Sequence, residues 1–287
     1  MKLWITGAQG FLGSALVKLC QTRTIPFIAA KKEEADVTNL DHLRQFVKQA
    51  LDVTHVINCA AFTDLDAAEK TPHLAFLVNA LGAENIARVS QETSIKVIHI
   101  STDYVFDGHL NRPYIESDPC HPINVYAQTK WEGEKKVLEI NPSVCLIRTS
   151  WLFGQGGKNF ISSVFQKMQQ ELSIKVVSDQ RGRPTFVQDL AEAILDLLDH
   201  SGIYHFANQG EVSRFEIAEE IRKRAMSLNI PLRCERVIPI SSDDFPTPAR
   251  RPFYSVLSTQ KVESVLKQPP RAWTHALTEY LCAIKTS

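Results

Sequence analysis

The sequence has no excess of charge of either sign and no long apolar run. Lys and Arg together number 32, as do Asp and Glu, so the formal net charge of the 287-residue chain is zero. This balance argues against a nucleic-acid-binding surface or a basic patch that binds membranes. No apolar run approaches the about 18 residues of a membrane-spanning helix, and no signal peptide precedes the first strand-like segment. We therefore expect a soluble, cytoplasmic protein without nucleic-acid or membrane partners.

Cysteine and histidine are few, and neither follows a functional pattern. The six cysteines include no Cys-x-x-Cys pair, and the nine histidines lack the spacing of metal ligands. Cys59 and Cys145 lie in apolar segments, where a buried thiol is the common state in a reducing cytosol. The sequence therefore predicts neither disulfides nor a metal site. Repeats and low-complexity tracts are also absent, which argues against a disordered arm.

Apolar strand-like segments alternate with helical segments in the first half of the chain. The predicted strands cover 2–6, 26–30, 55–60, 96–101 and 144–149. The predicted helices between them cover 11–21, 39–50, 72–92 and 123–139. Because these strands are almost entirely apolar, helices should cover both faces of their sheet. Residues 1–152 are therefore predicted to form an α/β domain with a doubly wound parallel sheet, the Rossmann fold.

The second half of the chain alternates less regularly. Its predicted elements are a helix at 159–170, a strand at 174–178, a helix at 186–199, a strand at 202–207, and helices at 213–228 and 273–284. Loops rich in proline are expected over 230–253. We expect residues 153–287 to form mainly a smaller α/β substrate-binding lobe over the carboxyl ends of the strands, with some segments returning to the sheet.

Three glycines follow the first strand at the spacing Gly-x-x-Gly-x-x-Gly. Gly7 permits a tight turn, Gly10 lets backbone N–H groups approach a diphosphate, and Gly13 allows close packing of the helix on the sheet. The helix that begins with Phe11 and Leu12 adds a dipole that favours an anion. This arrangement predicts a dinucleotide cofactor rather than a turn that serves packing alone.

The end of the second strand bears on the choice of dinucleotide. An NAD site usually places a carboxylate there, which binds the ribose 2′-hydroxyl. The residues at this point of the chain are Ala29, Ala30, Lys31 and Lys32. Either lysine fits a 2′-phosphate as well as a solvated loop, so NADPH is the predicted cofactor and NADH the alternative. The residues expected to contact the adenine and diphosphate further along are Asp36, Val37, Ala60 and Ala61.

Tyr126 and Lys130 lie four residues apart on a predicted helix and therefore share one face. A tyrosine with a pKa of about 10 is a weak acid–base catalyst unless something favours its phenolate, and a lysine ammonium one turn away does so. Both side chains are also expected to contact the cofactor. Thr102 ends the fourth predicted strand, where its hydroxyl can hydrogen-bond a carbonyl that gains negative charge. Together these residues predict carbonyl reduction, whereas a helix-surface tyrosine and lysine alone would not.

These residues resemble the extended short-chain dehydrogenase/reductases. The glycine spacing, Thr102, Tyr126 and Lys130 carry the general resemblance. Further motifs resemble the branch of that family which reduces the C4 keto group of dTDP-linked 6-deoxysugars for polysaccharide synthesis. These motifs are STDYVFDG at 101–108, NVYAQTK at 124–130, RTSWLFG at 148–154, QRGRPT at 180–185 and PTPARRP at 246–252. The resemblance spans nearly the whole chain and implies an NAD(P)H-dependent oxidoreductase with a dTDP-sugar substrate.

The resemblance also implies roles for particular residues. The implied catalytic set is Thr102, Tyr126 and Lys130. The residues implied to contact the deoxysugar are Thr102, Asp103, Tyr104 and Trp151. An aromatic face packs well on sugar C–H groups, and a carboxylate accepts hydroxyl hydrogen bonds. The candidate arginines for the diphosphate are Arg183 and Arg251, with Arg181 and Arg250 beside them.

Two positions depart from the family pattern. Ser258 stands where an acidic or amide residue is expected. Arg214 and Phe215 follow Ser213, where the family often carries a Trp-Tyr pair. The match of the second lobe is therefore weaker than that of the cofactor-binding half.

Other functions stay open on the sequence alone. Another nucleotide-sugar 4-ketoreductase or a 4-epimerase would keep the same catalytic residues. A 4,6-dehydratase is disfavoured because it needs a second acid after Asp103, where this chain has Tyr104. A non-catalytic NADP-binding regulatory subunit, similar to the β subunit of methionine adenosyltransferase, would need a partner surface. A homodimer and a requirement for Mg²⁺ are also left open, although no acidic cluster in the sequence requires the metal.

Overall fold

The computed structural model describes residues 1–50, 52–266 and 268–285. The strands, in chain order, are β1 (Leu3–Thr6), β2 (Phe27–Ala29), β3 (His55–Asn58), β4 (Lys96–Thr102), β5 (Cys145–Thr149), β6 (Leu152–Phe153), β7 (Ser173–Val177), β8 (Arg181–Gly182), β9 (Thr185–Phe186), β10 (Gly202–Phe206), β11 (Val212–Ser213) and β12 (Arg236–Ile240). The α-helices are α1 (Phe11–Thr22), α2 (Leu40–Gln49), α3 (Leu65–Lys70), α4 (Pro72–Phe76), α5 (Gly82–Thr93), α6 (Val125–Ile140), α7 (Phe160–Gln170), α8 (Val187–Asp196), α9 (Arg214–Ser227), α10 (Gln260–Leu266) and α11 (Trp273–Lys285). A π-helical turn (Leu77–Leu81) joins α4 to α5, and a 3₁₀ turn (Asp103–Val105) follows β4.

Six strands form the main sheet, in the order β10-β5-β4-β3-β1-β2. All neighbours pair in parallel, so the carboxyl ends of the strands meet at one edge. At that edge Thr6 lies beside Asn58, and Thr102 lies beside Thr149. The direction of strand order reverses between β1 and β3, which opens the crevice where ligands bind in such sheets. The predicted α/β fold with a doubly wound parallel sheet is confirmed.

Helices cover both faces of the main sheet because its strands carry apolar side chains on both. On one face, α1 and α8 pack through Leu16 and Ile194, which are fully buried. On the other face, α2, α5 and α6 pack through Leu43, Ile86 and Val137. Full burial of an aliphatic side chain of this size contributes about 1.5–3 kcal/mol, so these contacts stabilise the sheet that carries the site.

The sixth strand of the main sheet, β10, comes from the second half of the chain. Tyr204 and His205 of this strand lie opposite Ile147 and Arg148 of β5. Helix α8, which precedes β10, packs against α1 in the core of the same sheet. Segments beyond residue 152 thus return to the sheet and complete it.

A smaller lobe with its own apolar core is formed by most of the remaining elements, whereas α10 packs on β10 through Val262. Strand β7 pairs with β12 in parallel, β6 with β9 in parallel, and β8 with β11 antiparallel. Helices α7, α9 and α11 meet around Val164, Ile217 and Leu277. No helix in the described part of the chain combines the length and the apolar character needed to cross a membrane.

The single helix predicted over 72–92 is divided into α4, the π turn and α5. Asn79 of the π turn points inward, where its side chain hydrogen-bonds the backbone of Phe62 and the hydroxyl of Thr129. Gly133 of α6 faces this turn, and a Cβ on Gly133 would overlap the Asn79 carbonyl oxygen. The apolar pattern continues across the turn, so periodicity alone predicts an uninterrupted helix.

Strand β12 lies in the region predicted to be a proline-rich loop, so that prediction is wrong for residues 236–240. Pro239 lies inside the strand and cannot donate a ladder hydrogen bond, which argues against a strand in the sequence. The strand belongs to a two-stranded sheet, where Pro239 lies opposite Val176, and an edge position accommodates the missing donor. Helices α3 and α10 also lie where the sequence predicts no element.

Candidate functional site

The three glycines after β1 form a turn that has no room for a side chain at Gly7 or Gly13. Gly7 has a φ of +59°, which favours glycine, and a Cβ there would lie 2.8 Å from the Cys59 carbonyl. A Cβ on Gly13 would overlap the Gly7 carbonyl oxygen. Gly10 is the N-cap of α1, and among the described residues no side chain caps this helix end and no acid lies in its first turn. The N–H groups of the turn therefore suit the diphosphate of a dinucleotide.

A cavity of about 260 Å³ adjoins this turn, and we call it the glycine-turn cavity. The predicted cofactor residues that line it are Gly7, Gly10, Lys31, Asp36, Val37, Ala60 and Ala61. Lys32 lines it as well. Thr38 donates to the Asp36 carboxylate from its backbone N–H at 2.9 Å and from its hydroxyl at 2.8 Å. The structure thus brings the predicted residues for the adenosine half of the cofactor together.

A second cavity, of about 480 Å³, lies between the carboxyl edge of the main sheet and the smaller lobe, and we call it the central cavity. The predicted residues that line it are Gly10, Phe11, Leu12, Thr102, Asp103, Tyr104, Tyr126, Lys130 and Trp151. Thr102 ends β4, whereas Tyr126 and Lys130 lie one turn apart on α6. The sheet edge and one helix therefore place the predicted catalytic residues in one space that begins at the glycine turn.

Tyr126 and Thr102 both line the central cavity. Burial raises the pKa of Tyr126 above its ordinary value, although a hydrogen bond with Thr102 opposes this shift. The Thr102 hydroxyl also accepts the Tyr104 backbone N–H at 3.2 Å and donates to an Asp103 carboxyl oxygen at 3.1 Å. Tyr126 is therefore a phenol at neutral pH and can donate a proton.

Lys130 is buried, and its ammonium donates to the Ile100 carbonyl at 2.6 Å. Burial lowers the pKa of Lys130 to about 8, and the charge of Glu134, one helical turn further along α6, opposes this effect. Glu134 is itself paired inside the protein with Arg148 of β5 at 2.6 Å. An ammonium carries three donors, so the bond to Ile100 leaves two for a tyrosine oxygen and a cofactor ribose.

Asp103 is a buried carboxyl in the central cavity, with only 2% of its surface exposed. Burial raises its pKa to about 7. One oxygen accepts the Thr102 hydroxyl, whereas Oδ2 has no hydrogen-bond partner among the described residues. A buried oxygen without a partner is costly, and a ligand hydroxyl would satisfy it. In the described part of the chain, no group of three or more His, Cys, Asp or Glu side chains is placed to hold a metal ion.

Trp151 lines the central cavity beside Arg214, which the sequence did not predict as a site residue. Trp151 has a φ of +46°, which is unusual for a bulky side chain. Its indole packs against Gly182, where a Cβ would lie 2.6 Å from the ring. The Arg214 guanidinium stacks 3.8 Å from the centre of the same ring. The departure from the family's Trp-Tyr pair at this position was the signal that could have found Arg214.

The arginines predicted to bind a diphosphate are not gathered in the central cavity. Arg183 does not line it, and its Nη1 donates to the Thr259 hydroxyl at 3.2 Å. Arg251 lies outside it as well and makes two hydrogen bonds to the Asp66 carboxylate, at 2.9 and 3.1 Å. Arg181 pairs with two glutamates at the surface of the lobe. Arg183, predicted to bind the diphosphate, therefore lies outside the central cavity.

A third cavity, of about 350 Å³, opens beside the central one, and we call it the lobe cavity. The two cavities share Phe160 and Arg214. The basic residues that line the lobe cavity are Lys167, Lys175, Arg214 and Arg251. None of the described residues that line it is acidic, so this cavity suits an anionic ligand.

Comparison with known proteins relates this geometry to a family. The family model described as RmlD substrate binding domain matches residues 1–286. The chain belongs to this family. This RmlD-family chain is 38% identical over 289 residues to a dTDP-4-dehydrorhamnose reductase of Mycolicibacterium smegmatis, a match that covers 99% of this chain and 86% of that protein. It is also 38% identical over 278 residues to a dTDP-4-keto-6-deoxy-D-glucose reductase of Streptomyces niveus, with 96% and 94% of the two chains covered.

A solved structure agrees with these relatives. The crystal structure of dTDP-4-dehydrorhamnose reductase from Bacillus anthracis in complex with NADP matches this RmlD-family chain with a TM-score of 0.91 and 34% identity. The match covers 98% of this chain and 99% of that one. The resemblance inferred from the five motifs, which places the chain with the dTDP-sugar 4-ketoreductases, is confirmed at the level of the family.

Proposed function

We propose that this RmlD-family chain uses NADPH to reduce the C4 keto group of dTDP-4-dehydro-L-rhamnose, which yields dTDP-L-rhamnose. The observation that carries the proposal is that Thr102, Tyr126 and Lys130 line one cavity that begins at the glycine turn. The relatives' names support the class of sugar. The reaction would supply polysaccharide synthesis from the cytoplasm.

The proposed reaction is a proton transfer that accompanies reduction of a carbonyl. NADPH, when bound, supplies the hydride. Tyr126 donates its proton to the carbonyl oxygen as negative charge develops there. The Thr102 hydroxyl, which donates to Asp103 in this structure, turns to donate its one proton to the same oxygen. Because burial raises the pKa of Tyr126, the phenol keeps its proton until that oxygen becomes basic. Lys130 is positively charged below its pKa of about 8 and stabilises the phenolate that is left.

The glycine-turn cavity favours NADPH over NADH. Lys31 and Lys32 line it just after β2, where an NAD enzyme usually carries a carboxylate. The Asp36 carboxylate also lines this cavity, but Thr38 already donates two hydrogen bonds to it. The lysines are therefore proposed to bind the 2′-phosphate, and NADH is expected to be the poorer substrate.

The test is to mix the purified protein with NADPH and dTDP-4-dehydro-L-rhamnose and to follow the NADPH absorbance at about 340 nm. Oxidation that yields dTDP-L-rhamnose, identified by NMR, is the expected result, and a repeat with NADH ranks the cofactors.

Oxidation only with dTDP-4-keto-6-deoxy-D-glucose would transfer the assignment to the activity named for the Streptomyces niveus relative. Sugar epimerisation without net NADPH use would identify a 4-epimerase. NADPH binding without any turnover would point to a regulatory subunit.

A further inference from the structure

The three cavities follow one another in an order that fits a sugar nucleotide beside a dinucleotide. The central cavity begins at Gly10 and contains Tyr126, so a sugar that reacts there lies next to the cofactor. The lobe cavity has room for a nucleoside and joins the central cavity at Phe160 and Arg214. If the ligand is a nucleoside diphosphate sugar, as the proposed function requires, its diphosphate crosses this junction.

Arg214 is the guanidinium at the junction of the central and lobe cavities. It stacks on Trp151 at 3.8 Å and on Phe160 at 4.6 Å from the ring centres. Contacts with two rings hold the guanidinium at the junction, and its N–H groups can hydrogen-bond planar acceptors such as phosphate. The geometry of this side chain is therefore that of an anion-binding group.

The Arg214 guanidinium forms no ion pair with a carboxylate of the described residues. Arg181 and Arg251 are each held in ion pairs, whereas none is found for Arg214 among the described residues. Asp103 acts on it only through space, and burial raises the pKa of that carboxyl to about 7, so it is roughly half protonated at neutral pH. Arg214 is also the first residue of α9, where the helix dipole disfavours a cation and a bound anion would offset the cost.

We propose that Arg214 binds the diphosphate of the dTDP-sugar and thereby selects substrates that carry a diphosphate. The sequence analysis predicts this role for Arg183 and Arg251, and we assign it to Arg214 instead. The proposal rests on the proposed function for the kind of ligand, but it concerns diphosphate recognition and is measurable without turnover.

The experiment compares the binding of dTDP and of thymidine to wild type, Arg214→Gln and Arg214→Lys by calorimetry. The control is Arg222→Gln, which removes an arginine from the same helix that lines neither cavity and pairs with Glu219. In wild type, dTDP should bind more tightly than thymidine. Arg214→Gln should reduce this preference by about 10- to 100-fold through loss of dTDP affinity, because one charged phosphate contact is removed. The preference of Arg214→Lys for dTDP should lie between those of wild type and Arg214→Gln. The preference of Arg222→Gln should match that of wild type.

Kinetics supply a second readout. Arg214→Gln should raise the KM for the dTDP-sugar far more than it lowers kcat, and it should leave the KM for NADPH unchanged, since the contact is made before and during the reaction. An unchanged preference for dTDP in Arg214→Gln, equal weakening of dTDP and thymidine, or no preference in wild type would each overturn the proposal. If wild type does not turn over the dTDP-sugar but loses its dTDP preference on Arg214→Gln, the proposed reaction fails and the role of Arg214 stands.

Discussion

At the scale of single residues, the Tyr126 hydroxyl is the group on which the proposed reaction depends most. Tyr126→Phe removes the proton donor and leaves the ring that lines the cavity. We expect kcat to fall by about 10²–10⁴-fold while NADPH binding stays within a factor of two or so, because general acid catalysis is worth that much. The measurement is NADPH oxidation at saturating sugar, together with NADPH affinity by fluorescence.

Tyr204→Phe is the matched control, since Tyr204 lies in β10 and does not line the central cavity. It should retain nearly full activity. A Tyr126→Phe enzyme that turned over as fast as the control would remove Tyr126 from the mechanism.

The buried carboxyl of Asp103 should make stability depend on pH. Its folded pKa of about 7 lies above the ordinary value of 3.8, so the protonated form is favoured by folding. The stability that the protonated carboxyl adds to the folded protein is therefore complete below pH 3.8 and is lost as the pH rises to about 7. Relative to Asp103→Asn, which cannot ionise, the wild-type free energy of unfolding should decrease across this range by an amount on the order of 4 kcal/mol.

Urea unfolding of both proteins at several pH values measures this difference. A difference that stays constant between pH 3.8 and pH 7 would show that the Asp103 carboxyl titrates at its ordinary pKa. A difference that grows in favour of wild type would show that the folded protein stabilises the carboxylate.

Some residue-scale geometry was predictable because local chemistry decides it. Gly7 and Gly13 occupy positions where a Cβ meets backbone atoms, so the glycine spacing reports the turn directly. Tyr126 and Lys130 meet in one cavity because a single helix fixes their spacing. The departure from the family's Trp-Tyr pair marked Arg214 in the sequence, but not its position where two cavities join, because the fold of the smaller lobe creates that junction.

At the scale of elements, the contact between Gly133 of α6 and the π turn sets the position of the helix that carries Tyr126 and Lys130. Gly133→Ala would push a methyl group into the Asn79 carbonyl oxygen. We expect the free energy of unfolding to drop by about 1–3 kcal/mol, as for other overpacked sites, and activity to fall because α6 must shift. Urea unfolding and NADPH oxidation measure the two effects.

Glu139→Ala on the exposed side of the same helix is the control, and it should change the unfolding free energy by less than about 0.5 kcal/mol. If Gly133→Ala behaved like this control, the close packing of α6 on the π turn would not constrain the helix.

Element boundaries were predictable where an apolar pattern begins and ends with the element itself. Strands β1 to β5 are short and each has an apolar centre, and each lies within its predicted range to about one residue, except at the end of β3. The π turn was not predictable because it preserves the apolar face while changing the hydrogen-bond ladder. Strand β12 was not predictable because Pro239 is acceptable only at an edge, and edge position is a property of the sheet rather than of the segment.

At the scale of the whole molecule, the main sheet is built from both halves of the chain. A fragment that ends at residue 152 would lack β10 and α8, and so would expose one edge of β5 and the apolar face of α1. We expect residues 1–152 alone to be unfolded or aggregated rather than to fold as an independent cofactor-binding domain. Circular dichroism during thermal unfolding and NADPH binding measure this outcome.

The full chain under the same conditions is the control, and it should unfold cooperatively. A fragment of residues 1–152 that melts cooperatively and binds NADPH would show that the second half is dispensable for the sheet.

The return of β10 to the main sheet limits how this chain can be recombined with its relatives. A crossover near residue 152 would join a sheet from one parent to a closing strand from another, and Tyr204 would have to pack on a foreign β5. Strands β7 and β12 and helix α9 belong to the smaller lobe and not to the main sheet, so their exchange leaves the main sheet intact. Substrate preference in chimaeric reductases should therefore be transferable in such lobe segments, but not as one C-terminal block.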